Sequence, residues 1–152
     1  MPGTPAGPDG SDALLDERMR TRIGDLANRI GALPQDLPVL GSVRGDSTPY
    51  CLRGPDGWHL TARERDRILS DRSTADPDEF LRWVAESVSE RMSRRLHPPG
   101  SPDFSRASWK AQYDILASVD QSWADTWLAT MRSRLVAAGA DTDVLAMLPG
   151  PA

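Results

Sequence analysis

Cysteine is nearly missing from this 152-residue sequence: Cys51 stands alone. One thiol cannot close an intramolecular disulfide, so a disulfide-built secreted scaffold is excluded. Histidine is almost as scarce, at His59 and His97. One cysteine with two histidines is too few for a Cys/His zinc site, and no metal is implied. No apolar run approaches the roughly 20 residues of a membrane span, so no membrane partner is implied. The N-terminus lacks the basic start and apolar core of a secretory signal, so nothing here argues for export by that route. Phosphate loops, dinucleotide fingerprints, nucleophile elbows and paired zinc histidines are all missing, so no cofactor is implied. An excess of basic charge is missing too. The 18 basic residues face 22 acidic ones, for a net charge of −4. That balance argues against a dedicated nucleic-acid binder. Lysine occurs only at Lys110. Together with abundant Ala, Gly and Pro, so strong a preference for arginine is simply read as GC-rich coding.

What is present suits one domain with its own core. Residues 1–11 are rich in Pro and Gly and read as a loose tail. The domain spans 12–139, and 140–152 form a second tail with room for one short helical turn. A first helix is predicted from about Asp12 to Ile30, with Leu15, Met19, Ile23, Leu26 and Ile30 as its apolar stripe. Ser11 or Asp12 would cap it and Gly31 would close it. Residues 32–48 connect, with a short extended piece at Val39 and Leu40. Next, Tyr50-Cys51-Leu52-Arg53 and Trp58-His59-Leu60-Thr61 alternate around the turn Gly54-Pro55-Asp56-Gly57. Tyr50, Leu52, Trp58 and Leu60 would share the buried face. A third strand is placed at about Arg65 to Ser70. A second helix starts at Asp76-Pro77, with Glu79 completing a capping box, and runs to about Leu96. Two more helices fill Asp103 to Ala138, divided at Asp120 and closed by Gly139. The fold class is therefore α+β: an N-terminal helix, a small antiparallel meander of about three strands, then three helices packed on one sheet face.

Few residues carry chemistry. Cys51 and His59 could in principle form a nucleophile and base across the hairpin. A lone strand cysteine is more often a small buried hydrophobe, however, and a strand histidine alternating outward is more often solvent-facing. The chain is therefore not read as an enzyme. Arg63, Arg65 and Arg67 would share one face if extended, with Glu64 and Asp66 on the other. Such a stripe can grip phosphates, or it can be a charged edge that discourages strand pairing. Trp58 and Trp109 read as core. Trp83 falls beside the apolar stripe of its helix and is expected to be partly exposed and available to a partner.

Several stretches, taken in order, resemble the immunity protein 63 family, predicted immunity proteins of bacterial polymorphic toxin systems. Arg29-Ile30-Gly31-Ala32 with Leu37-Pro38 and Gly41 is similar to its first helix end and loop. Gly57-Trp58-His59 leading to Glu64-Arg65 looks like its Gly-aromatic-His strand and Glu-Arg-Gly. Thr74 to Val88 resembles its second helix, and Asp103-Phe104, Arg106, Gln112 and Trp123 fall like residues of its last two. Asp66 stands where the family has Gly, and Ser105 where it has Arg. The resemblance covers roughly Asp12 to Leu135.

The resemblance implies a cytoplasmic protein that binds and blocks a cognate toxin domain without catalysis. Glu86, Glu90, Asp114, Asp120 and Asp125 would supply an acidic surface for a basic partner. Glu64 and Arg65 are a second candidate surface, or a structural pair in which Arg65 bridges to Asp103. The alternative reading is a small cytoplasmic adaptor or regulatory protein-binding domain.

Overall fold

The computed structural model describes residues 15–149. The tail at 1–11 and the proposed caps Ser11 and Asp12 lie outside the described residues. The first described helix, α1 (Glu17–Ile30), begins later than the periodicity suggests. Asp16 caps it, accepting from the Met19 N–H at 3.2 Å. Leu15, Met19, Ile23 and Leu26 form its buried stripe, and Gly31 closes it in a left-handed conformation. A 3₁₀ turn at Pro34–Asp36 leads to β1 (Val39–Leu40), β2 (Tyr50–Gly54), β3 (Gly57–Glu64) and β4 (Arg67–Thr74). The sheet order is β1-β2-β3-β4. β1 runs parallel to β2 and the other pairs are antiparallel. The helices α2 (Pro77–Leu96), α3 (Phe104–Val119), α4 (Gln121–Ala137) and α5 (Thr142–Leu145) follow. The class is α+β, as the sequence indicates, with four strands in a mixed sheet instead of three in a meander.

Three expectations change. First, the β2–β3 hairpin pairs Gly54 with Gly57 across a two-residue turn. Every even-numbered residue of β2 therefore faces an odd-numbered residue of β3. Trp58 and Leu60 share the helix-facing side with Arg53 and Cys51, while Tyr50 and Leu52 share the far side with Thr61 and His59. Tyr50 is buried there, outside the main core cluster. Second, Arg63 to Arg67 is not one extended run. Arg63 and Glu64 end β3, Arg65-Asp66 form the turn, and Arg67 opens β4. The arginine stripe is thus folded back on itself. Third, Glu79 does not complete a capping box. Asp76 caps α2 by accepting from the Asp78 N–H, and Glu79 instead accepts from the Thr74 hydroxyl.

The core lies between the inner sheet face and the helices. Trp58 and Phe80 stack with centroids 6.2 Å apart, joining β3 to α2. The Trp58 indole N–H also donates to the capping Asp16 at 2.8 Å, so one carboxylate ties α1 to the sheet. Burial alone would push this acid up. The bonds from Trp58 and the Met19 N–H, with the nearby Arg53 charge, outweigh it and hold Asp16 below its ordinary value. Asp36 is buried likewise and takes a two-pronged contact from Arg95, pinning the 3₁₀ turn to the end of α2.

Candidate functional site

Trp83, Glu86 and Glu90 lie three and four residues apart on α2, so they share one helix face. They form the floor of a cleft of about 360 Å³. Leu60, Ala62, Ser70 and Arg72 of the sheet make one wall, Trp127, Met131 and Arg134 of α4 the other, and Gln112 of α3 completes it.

A polar network holds the floor. The Arg72 guanidinium lies over the Trp83 ring, 4.2 Å from its centroid, and reaches Glu86 at 3.4 Å. Arg82 holds the other Glu86 oxygen at 2.9 Å. Gln112 donates to the Glu86 backbone carbonyl at 3.1 Å. The cover from Arg72 corrects the expectation for Trp83: it is 8% exposed, not partly open, and its buried indole N–H has no acceptor among the described residues. Glu90 is exposed at the rim, and neither it nor Arg134 has an ion-pair partner within the described residues.

The remaining candidates lie elsewhere. Glu64 accepts from the Ser47 hydroxyl, and Arg65 donates its backbone N–H to Gly45 at 2.7 Å. This pair clamps the loop before β2 to the end of β3. The bridge from Arg65 to Asp103 does not form; Asp103 lies 3.4 Å from Arg106. The left-handed residue of the turn is Arg65, at φ 58, and not Asp66. The bulge comes later, where Leu69 is skipped between the Ala62–Ser70 and Arg63–Ile68 pairs. Asp114 pairs with Lys110 at 2.8 Å on α3. Asp120 caps α4, and bonds from the Ser122 hydroxyl and N–H lower its pKa. Asp125 accepts from Tyr113 and Gln121. Of the proposed acidic surface, only Glu90 is both in the cleft and unengaged.

Cys51 and His59 are on opposite faces of the sheet, so the thiol–imidazole pair does not assemble. Cys51 is buried in an apolar setting that pushes its pKa to about 12, which suppresses the reactive thiolate. His59 instead contacts Asp56 at 2.8 Å and Asp71 at 3.4 Å on the outer face. No cluster of three or more metal-ligating side chains occurs among the described residues. No described helix is long and apolar enough to cross a membrane.

The family model described as Immunity protein 63 matches residues 54–133. The chain belongs to the immunity protein 63 family. No curated protein and no solved structure gives a significant match. In this immunity protein 63 family member the matched segment contains β3, β4, α2 and α3 whole and α4 up to Ser133. It includes every residue of the cleft wall except Pro49 and Arg134. The more N-terminal similarities, from Arg29 to Gly41, fall outside it. Arg72, Met131 and Arg134 were missed as site residues by sequence reasoning. Strand parity counted from the Arg65-Asp66 turn would set Arg72 opposite His59 on the outer face, and only the bulge at Leu69 brings it opposite Leu60 on the helix side; nothing local marks the α4 residues.

Proposed function

We propose that this chain is the immunity partner of a bacterial polymorphic toxin. It binds a cognate toxin domain in the cytoplasm of the producing cell and blocks it by occlusion, with no chemistry of its own. The observation that carries this reading is the family match, which spans all the cleft-lining residues but Pro49 and Arg134. Two further features support it. The groups that might have formed a nucleophilic pair are separated by the sheet. The cleft combines the half-buried Met131 with charge at its rim that has no ion-pair partner among the described residues, features that suit a protein-binding patch.

Co-expression tests the reading. The C-terminal domain of the large secreted protein encoded beside this chain would be induced with and without it. The proposal predicts arrest of growth by the domain alone and rescue by this chain. Arrest without rescue would contradict it and favour the adaptor reading.

A further inference from the structure

Among the described residues β4 is an open sheet edge, and six of its eight residues are exposed. Natural proteins usually blunt such edges with proline, lysine, short length or inward-pointing charge. β4 has no proline and no lysine. Its bulge lies at Leu69, before the regular stretch from Ser70 to Thr74, and its inward charge at Arg72 is engaged within the chain and does not stand free at the edge. Arg72 is drawn down onto Trp83 and Glu86, and Asp71 is turned to the outer face, where the Thr61 hydroxyl donates to it at 2.8 Å. Ile68 and Leu69 remain about half exposed beside them, at 54% and 49%.

The direction of the free backbone groups follows from the ladder. The Ser47 N–H donates to the Arg63 carbonyl, so odd-numbered residues of β3 present their backbone toward β2. Even-numbered residues then face β4, where Ala62, Leu60 and Trp58 pair with Ser70, Arg72 and Thr74. Alternation leaves the N–H and C=O of Asp71 and Ser73 pointing out of the sheet. A strand laid there would place alternate side chains beside Ser70 and Arg72, which form part of the cleft wall.

We propose that β4 and the cleft together form a strand-addition site for an extended segment of the protein partner. Backbone pairing to Asp71 and Ser73 supplies the register, and inward side chains enter the cleft. The free charges define that segment's chemistry. Glu90 on the α2 side and Arg134 on the α4 side lack ion-pair partners within the described residues, and Trp127 and Met131 belong to the same α4 wall as Arg134. The segment therefore carries an apolar side chain flanked by one cationic and one anionic residue.

The inference rests on the toxin-binding reading for the partner's source, and the test separates the two. Ser73→Pro deletes an outward N–H at an exposed position, and Ser73→Ala keeps it; circular dichroism confirms that both fold. The wild-type chain should bind the C-terminal domain of the neighbouring secreted protein. Ser73→Pro should weaken that binding about tenfold or more and Ser73→Ala should not. Equal binding by all three would overturn the strand-addition site while leaving the functional reading intact. If the wild-type chain does not bind that domain, the functional reading fails, and a library of short displayed peptides decides the site instead. Enriched peptides that lose binding to Ser73→Pro and to Glu90→Arg would support it. No enrichment, or binding indifferent to both changes, would overturn it.

Discussion

His59 sits between two carboxylates because of its place in the hairpin. Its position in β3 turns it to the outer face, where the turn residue Asp56 and the β4 residue Asp71 reach it at 2.8 and 3.4 Å. Hydrogen bonding to Asp56 first, and to Asp71 next, raises its pKa above the ordinary 6.5 against the opposing effect of burial. The charged form is thus favoured in the folded state. Its contribution to stability is fully present below pH 6.5 and is lost as pH rises through the higher folded value. Thermal melts across that window should show the wild-type chain losing stability relative to His59→Gln as pH rises. Parallel pH profiles would contradict this. The sequence marks His59 as outward-facing, but it does not reveal the two acids, because Asp71 comes within reach only through the β3–β4 register. Trp83 shows the same limit. Its helix position suggested partial exposure, and a strand residue eleven positions earlier, Arg72, covers it.

At the scale of elements, the local signals were readable where one segment decides the outcome. Asp76-Pro77 begins α2, Asp120 separates α3 from α4, and Gly31 and Gly139 close their helices in left-handed conformations. What could not be read locally was pairing. The buried face of β2 depends on the length of the turn, and the arginine run bends at Arg65 because β4 must return along β3. Two substitutions test this description. Gly57 adopts φ 127, and a Cβ there would lie 2.2 Å from the Thr74 carbonyl oxygen. Gly57→Ala should therefore cost about 3 kcal/mol in denaturant unfolding. Arg65 holds φ 58 with a side chain that strains it. Arg65→Gly should stabilise the chain by about 1 kcal/mol, and destabilisation would mean that the side chain supports the turn.

Across the whole molecule, α2 and α4 run side by side in the same direction. Their first turns line one shallow groove and their later turns line the cleft. Asp76, Asp78, Asp120 and Asp125 lie toward the starts, and Arg94, Arg95, Arg132 and Arg134 toward the ends. This arrangement matches the helix dipoles and divides the charge between two ends, although the net charge is small. It also separates the proposed contact residues from the framework. Glu90→Arg, at the cleft rim, should weaken toxin-domain binding at least about tenfold. Asp114→Asn, which only breaks an exposed pair with Lys110, should change it less than about twofold. Equal losses would place the contact outside the cleft. The most direct test of the central claim is calorimetric titration of the purified neighbouring toxin domain into this chain. The account predicts saturation at one toxin domain per chain, with the toxic activity lost at the same ratio. A folded, active toxin domain that gives no binding, or that stays active at saturation, would contradict it.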